Sequence, residues 1–475
     1  MLRLRVNREQ VLVNRKLSGA GLRTAGAVLL LAFSAAPTSA QEAAPSGSSP
    51  QEALTIQSSY RSRVEVLDGQ ARAVGPTHDF MWSHRAIVFA EYETGVVRVG
   101  GELRDARAAG ERRNSTAGVA EVNSLEPVQA YLAADLGPML AVGGTTSLTA
   151  GRFTMELSSG RQIATPEFAN SVNSFVGAQL MWSGLGQDQL MAFWTMPGVR
   201  LPNTSEEILS NKTRLDHFSH ALVLSGLSFT KAEVGAGAAG EIYLLRLNEH
   251  DTPGFPTRDR HLTVVGVRTA RPPAPGKLDF EVELIRQTGH VRATARPDDL
   301  RTLRAEAYLI HAEIGRRGVG HGAVRPSLHF DLATGDDRDL DKWSRFDPLF
   351  GGPRGDFGPT SLYGAVTRSN IVSAGARVEV APSKRTDGAF MTRALWLHSP
   401  VDSFAATGVQ DRSGHSGRWA GIQFEGRVRH WIIPRRLRAE GGAVWLVKGR
   451  FLRDAPNVAY RGDSRYGYFD LTLSI

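Results

Sequence analysis

The chain has 475 residues, 56 Lys and Arg against 48 Asp and Glu, and no cysteine. That excludes disulfides, thiol chemistry and cysteine metal sites. The formal charge of +8 is concentrated at the start: residues 1–40 hold six basic residues and one acidic, leaving +3 for the rest, so no nucleic-acid partner is expected.

Arg3, Arg5, Arg8, Arg15, Lys16 and Arg23 precede an apolar run from Ala25 to Ala36, then Pro37-Thr38-Ser39-Ala40. A basic segment, a short apolar run and small residues in that order predict a signal peptide over 1–40, cut near Ala40. The run is too short for a membrane helix, which needs ~20 residues. Residues 41–54 are rich in Ala, Ser, Pro and Gly and read as a flexible periplasmic leader.

From residue 55 to 475 the chain reads as a single unit of about eighteen short segments that alternate apolar and polar residues. In the last one, Phe469, Leu471, Leu473 and Ile475 oppose Asp470, Thr472 and Ser474. Period-two alternation puts the two sets on opposite faces of a strand. Short spacers carry turn residues: Glu93-Thr94-Gly95, Leu136-Gly137-Pro138, Gly184-Leu185-Gly186, Pro272–Gly276, Gly315–Gly322, Pro382–Asp387 and Pro434-Arg435, with Ser228–Gly237 placed among them. They alternate with long ones: 104–122, 158–173, 198–215, 248–260, 335–369, 399–418 and 451–462. The pattern predicts an all-β fold, a large closed up-and-down antiparallel transmembrane β-barrel with long loops outside. No other stretch is apolar enough to cross as a helix, and only helices and closed barrels satisfy every backbone group in lipid. The expected location is therefore the outer membrane of a Gram-negative bacterium, with outer-membrane lipid around the wall. Tyr60, Trp82, Tyr92, Tyr131, Trp182, Trp194, Tyr308, Trp396, Trp431, Trp445 and Tyr468 are candidates for interfacial belts.

Seven segments alternate cleanly enough to assign faces. Arg61, Arg63 and Glu65 oppose Val64 and Val66; Arg98, Glu102 and Arg104 oppose Val97, Val99 and Leu103; Asp279, Glu281 and Glu283 oppose Leu278, Phe280, Val282 and Leu284. Arg325, Ser327, His329 and Asp331 oppose Leu328 and Phe330; Arg377 and Glu379 oppose Val378 and Val380; Gln423, Glu425, Arg427 and Arg429 oppose Phe424 and Val428; Arg436, Arg438 and Glu440 oppose Leu437 and Ala439. A charge facing lipid at mid-depth costs ~2–4 kcal/mol, so the charged sets must line the interior. A large polar-lined interior is expected to hold water.

The candidate solute path is Arg61, Arg63, Arg98, Arg152, Arg325, Arg377, Arg427, Arg429, Arg436 and Arg438, with Glu102, Asp331, Glu379 and Glu440 interspersed. Guanidinium stays charged and offers carboxylates a planar fork. Several facing one lumen raise the local concentration of anions. Phe346, Asp347, Phe350, Asp356 and Phe357 lie in a loop too apolar for solvent, so 335–369 is expected to fold back into the mouth as a constriction. Asp336, Asp337, Asp339 and Asp341 are hard oxygen ligands of the kind calcium takes, but lack EF-hand spacing; a solvated capping loop is the plainer reading. No Gly-x-Ser-x-Gly elbow, His-Glu-x-x-His or P-loop accompanies the histidines at 84, 217, 220, 311, 329 and 430. Neither an enzyme nor a cofactor is expected, although an enzymatic or purely structural barrel stays as an alternative.

Gly335-Asp336-Asp337, Arg345-Phe346-Asp347-Pro348-Leu349-Phe350-Gly351, Asp356-Phe357-Gly358-Pro359-Thr360, Leu362-Tyr363-Gly364 and Arg368-Ser369-Asn370-Ile371 follow one another. Ala150-Gly151-Arg152, Ser159-Gly160-Arg161 and His311-Ala312-Glu313-Ile314-Gly315 lie elsewhere. Together these resemble the alginate-export family of outer-membrane barrels. The resemblance implies an eighteen-stranded monomeric channel, with an arginine-rich lumen passing anionic uronic-acid polymers. The exporter resembled has a long periplasmic turn near its C terminus that acts as a plug; here the corresponding turn is only Pro434-Arg435. General uptake of anions or organic acids is the alternative.

Overall fold

The computed structural model describes residues 53–140, 143–320, 322–352 and 354–475; the expected signal peptide and its cleavage point lie outside them. Within the described residues the long strands are β1 (Ala53–Asp68), β2 (His78–Thr94), β3 (Val97–Ala109), β4 (Asn123–Gly137), β5 (Thr145–Phe153), β6 (Phe175–Ser183), β7 (Gln189–Pro197), β8 (Leu222–Gly235), β9 (Ala238–Glu249), β10 (His261–Arg271), β11 (Leu278–Arg292), β12 (Thr302–Arg316), β13 (Arg325–Ala333), β15 (Ile371–Ser383), β16 (Thr386–Trp396), β17 (Trp419–Ile433), β18 (Leu437–Lys448) and β19 (Ser464–Ser474). These eighteen form one antiparallel sheet, each paired with its chain neighbour. β13 pairs directly with β15, and β19 closes on β1 from Ser59↔Ser474 to Asp68↔Arg465. The two-residue β14 (Lys342–Trp343) lies in a loop and adds in parallel to the outer end of β12. Closure leaves no edge, so every strand meets hydrogen-bonding neighbours on both sides, as lipid requires.

The alternation settles which way each side chain points. On β19, Phe469, Leu471, Leu473 and Ile475 are exposed outward, while Asp470, Thr472 and Ser474 are buried. Val64, Val66, Val99, Leu103, Val282, Leu284, Leu328, Val378 and Val428 likewise face out, and their charged partners face in. Tyr60, Trp82, Tyr92, Trp194, Tyr308 and Trp445 are outward too, but Tyr468 is buried inside, its hydroxyl donating to Glu440 at 2.8 Å.

Short turns and long loops alternate as expected, with one change. The segment 228–237 is mostly strand: β8 runs to Gly235 through a bulge, and only Ala236 and Gly237 turn, both at positive φ (54° and 74°). That is the conformation a two-residue hairpin needs to match strand twist.

The interior differs from the expected water-filled tube. Loops 154–174 and 334–370 turn inward and carry apolar side chains with them. Ile163, Phe168, Phe346, Phe357, Leu362 and Tyr363 are all buried in one cluster. Burying an aliphatic or aromatic side chain is worth roughly 1.5–3 kcal/mol, enough for these segments to pack inside the wall. The two loops also bond to each other: Phe350 N–H donates to Gln162 O at 2.9 Å and Ala164 N–H to Phe350 O at 3.1 Å.

Candidate functional site

Strand register places the inward arginines in rows across neighbouring strands. Arg429 of β17 is opposite Glu440 of β18, which is opposite Asp470 of β19, which is opposite Arg63 of β1. In the next row Trp431, Arg438, Thr472, Arg61 and Arg85 follow one another. The wall from β17 through β1 to β2 is thus a basic ladder, continued on the β15 side by Arg377.

The ladder has two different halves. On the β1–β3 side the arginines are covered by the tip of loop 154–174. Arg61 is 3 % exposed and donates to the carbonyls of Glu167 and Phe168, both at 2.8 Å, to that of Ala169 at 3.1 Å and to Asn170 Oδ1 at 2.6 Å. Arg63 donates to Phe168 O at 2.7 Å and pairs with Asp470 at 3.0 Å, its guanidinium 3.7 Å over the Phe168 ring. Arg85 takes Glu167 O at 2.8 Å and Ala169 O at 3.0 Å. Arg104 pairs with Glu102 at 2.7 Å and reaches Asn170 O at 3.5 Å. Arg61 and Arg63, expected to face solute, instead hold a loop, because the backbone carbonyls of 167–170 would otherwise be buried without donors.

On the β15–β18 side the arginines keep partial solvent access and pair with carboxylates of the wall. Arg377 pairs with Glu379 at 2.8 Å. Arg427 and Arg429 meet the single carboxylate of Asp387 at 3.6 and 2.9 Å, and Arg438 lies 4.0 Å from Glu440. Arg436 differs: its Nη2 is buried and has no hydrogen-bond partner among the described residues. A recess beside this wall is lined by Asp356, Arg377, Ala389, Met391, Arg393, Glu425 and Arg427. Elsewhere Arg325 bridges Asp279, Glu313 and Glu379, the last at 2.9 Å; Arg98 pairs with Asp135 at 3.2 Å; and Asp331 bonds His311 at 2.6 Å and Arg393 at 2.8 Å.

Arg152 departs from the other expected path residues. Gly151 before it sits at φ +119°, and Arg152 lies under loop 198–221. There it pairs with Glu126 at 2.6 Å and Asp216 at 3.2 Å and stacks over Phe218. It belongs to the anchoring of that loop.

Loop 334–370 is latched by Asp356, in a one-turn helix (Arg354–Phe357). Arg161 Nε, from the other inward loop, donates to it at 3.0 Å, and Arg368 Nε also at 3.0 Å. Burial pushes the Asp356 carboxyl up, but the two guanidiniums outweigh it and hold the group well below the ordinary carboxylate range. Arg161 also reaches Glu281 and, at 2.6 Å, Glu283 on β11, and Glu283 accepts from Tyr243 at 2.7 Å. Arg161 therefore ties both loops to the wall. Neither it nor Arg85, Arg368 and Arg393 stood among the expected path residues; Arg161 was visible only as part of Ser159-Gly160-Arg161. Phe346 and Phe357 are fully buried and Phe350 packs edge-on to Phe175 at 5.6 Å. Asp347 pairs with Arg260 at 2.6 Å and caps Leu349 N–H at 2.9 Å.

The acidic stretch is organised by its own backbone. Asp337 accepts from Asp339 N–H at 2.8 Å, Asp339 from Asp341 N–H at 3.0 Å, and Asp336 from Ser344 N–H at 3.0 Å. These are turn-capping contacts.

Against this geometry, the sequence matches the family described as Alginate export over residues 52–462. The chain belongs to the alginate-export family. Solved structures agree on the fold. Pseudomonas aeruginosa OpdQ matches with a TM-score of 0.52 at 12 % identity, covering 89 % of this chain and 98 % of that one. Pseudomonas aeruginosa OccK2 (OpdF) in complex with glucuronate matches with a TM-score of 0.55 at 11 % identity, covering 89 % and 96 %. Acinetobacter baumannii OccAB1 gives 0.54 at 11 %, covering 89 % and 96 %. No curated protein sequence matches the chain. This alginate-export family member is an outer-membrane transport channel, not an enzyme.

Proposed function

We propose that the channel is passive and anion-selective, and that its solutes are uronates or short uronic-acid oligosaccharides. The observation that carries this reading is the solvent-accessible half of the ladder: the side chains of Arg377 on β15, Arg427 and Arg429 on β17 and Arg438 on β18 stay 22–32 % exposed beside Glu379, Asp387 and Glu440. A uronate chain repeats one carboxylate per sugar, and forked guanidiniums at successive depths would pass it between weak sites. The glucuronate carried by the similar barrel OccK2 is a solute of that class. A second reading is favoured by the packing of the inward loops around Phe346 and Phe357. An interior partly filled by these loops suits single anions or small organic acids better than a polymer.

The test is the reversal potential of the purified protein in a planar bilayer under a KCl gradient, repeated with added oligouronate. Anion selectivity with block by oligouronate supports the first reading. Anion selectivity without block selects the second. Cation selectivity sinks both.

A further inference from the structure

At the extracellular rim, loop 250–260 joins β9 to β10 and brings together two histidines and an aspartate that the solute path does not use. Asp259 Oδ1 lies 3.0 Å from His250 Nδ1 and 3.3 Å from His261 Nε2, and the ligand atoms of all three fall within 4.8 Å of one another. In tetrahedral zinc sites, bonds of about 2.0–2.1 Å put neighbouring ligand atoms roughly 3.3–3.4 Å apart. We propose that His250, Asp259 and His261 form a binding site for a divalent transition metal of the zinc class.

Three features of the surroundings support it. First, His261 Nδ1 is 3.3 Å from Asn248 Oδ1. With Nδ1–H donated to that oxygen, a neutral imidazole presents its Nε2 lone pair to the carboxylate, a contact a metal ion makes favourable. A ring N–H held by an outer carbonyl is also the arrangement that orients metal-binding histidines. Second, the arginines nearest Asp259 are turned to other acids: Arg260 to Glu249 and Asp347, Arg292 to Asp251. Among the described residues, the recorded hydrogen-bond partners of the Asp259 carboxylate are the two imidazoles. Third, the site is open. The His250 side chain is 58 % exposed and Asp259 41 %, so an ion can enter and keep water in a fourth position. The ring of His261 is backed by His290, 4.8 Å away and nearly parallel. Two imidazoles and a carboxylate suit zinc, and they suit calcium or magnesium poorly.

Occupied, the site would staple the two ends of loop 250–260. That loop grips the inward loop, through Arg258 over Trp343 at 3.7 Å and Arg260 on Asp347 at 2.6 Å.

The test is zinc titration of the untagged, folded barrel by calorimetry, with metal counted after desalting. The expected result is one zinc per chain, weakened at least tenfold in H261N and in D259N and unchanged in H78N, which removes a histidine that pairs with Asp68 away from this loop. Barrel integrity in each variant is checked by its heat-dependent shift on gels. If D259N does not fold, H250N takes its place. Less than half a zinc per chain, or wild-type affinity in folded H261N, overturns the assignment.

Discussion

The two halves of the basic ladder carry the same residue type on the same face of the same sheet, and they do different things. Arg61 and Arg63 are 3 % and 2 % exposed, and each donates into loop 154–174. The Arg429 side chain is 32 % exposed and shares one aspartate with Arg427. The wall does not decide between these roles; the loop that covers it does. Where buried carbonyls need donors, arginine is structural. Where the wall is left open, arginine keeps a solvent-exposed side chain, as the proposed anion path requires.

The strongest way to break this comparison is to release the loops. Asp356→Asn leaves Arg161 and Arg368 without the carboxylate they share. Removing one member of a buried charge set typically costs ~3–5 kcal/mol. The barrel wall should survive, since its ladders do not pass through Asp356. We expect loop 334–370 to become protease-sensitive and single-channel conductance to rise. Unchanged conductance and protection would show that the apolar packing of Phe346 and Phe357 holds the loop without the latch.

A smaller effect should follow Arg61→Met. The substitution keeps the volume of the side chain but strips donors from carbonyls at 167–169 and from Asn170. Hydrogen bonds to charged groups contribute ~1.5–3 kcal/mol, and Arg85 would still cover Glu167 O and Ala169 O. Faster hydrogen exchange confined to 154–174, with anion selectivity retained, is the expected outcome. Loss of selectivity in this variant would mean that the covered half of the ladder also meets solute.

How much of this was legible in the sequence follows the range of the interactions. Face assignment depends on neighbours two residues apart, so Arg427 and Val428 could be sorted without a structure, and so could the whole of β19. It failed in the 228–237 turn, where a bulge hides inside a strand, and it was silent on Arg152, whose segment does not alternate cleanly. The loops were harder. The apolar content of 346–357 raised the expectation of an inward fold, and nothing local in 154–174 did the same. Its anchor, Arg161, meets partners 120, 122 and 195 residues away. The His250, Asp259 and His261 cluster was missed because its ligands sit on either side of a loop whose closure only the β9–β10 pairing dictates.

Loop attachment should also respond to pH through Asp336. Burial raises this carboxyl from its ordinary 3.8 to about 6, with Asp402 and Asp337 adding to the rise and Ser344 N–H opposing it. A carboxyl raised on folding stabilises the docked segment below pH 3.8, and that contribution is lost as pH climbs through 6. The group is partly solvated, so the change should be of order 1 kcal/mol. Hydrogen exchange at 336–344 should therefore be slower, after correction for intrinsic rates, at pH 4.5 than at pH 7. Asp336→Asn should flatten the difference; persistence in that variant would assign it to another group.

The smallest expected effect sharpens the comparison most. Arg427→Lys with Arg429→Lys keeps two positive charges on the open wall but replaces planar forks by point charges. Because both charges are kept beside Asp387, stability should change by no more than about 0.5 kcal/mol. Because the net charge is unchanged, the reversal potential in KCl should stay within a few millivolts of wild type, where Arg→Gln at the same two positions should move it toward zero. Block by oligouronate should weaken severalfold in the lysine variant, since only the fork can hold a carboxylate at two points. If the lysine and glutamine variants lose block equally, geometry at these positions is irrelevant and the open wall acts as a field alone. If neither loses it, the uronate is held by other groups, and Arg377 and Arg393, which line the same recess as Arg427, become the place to look.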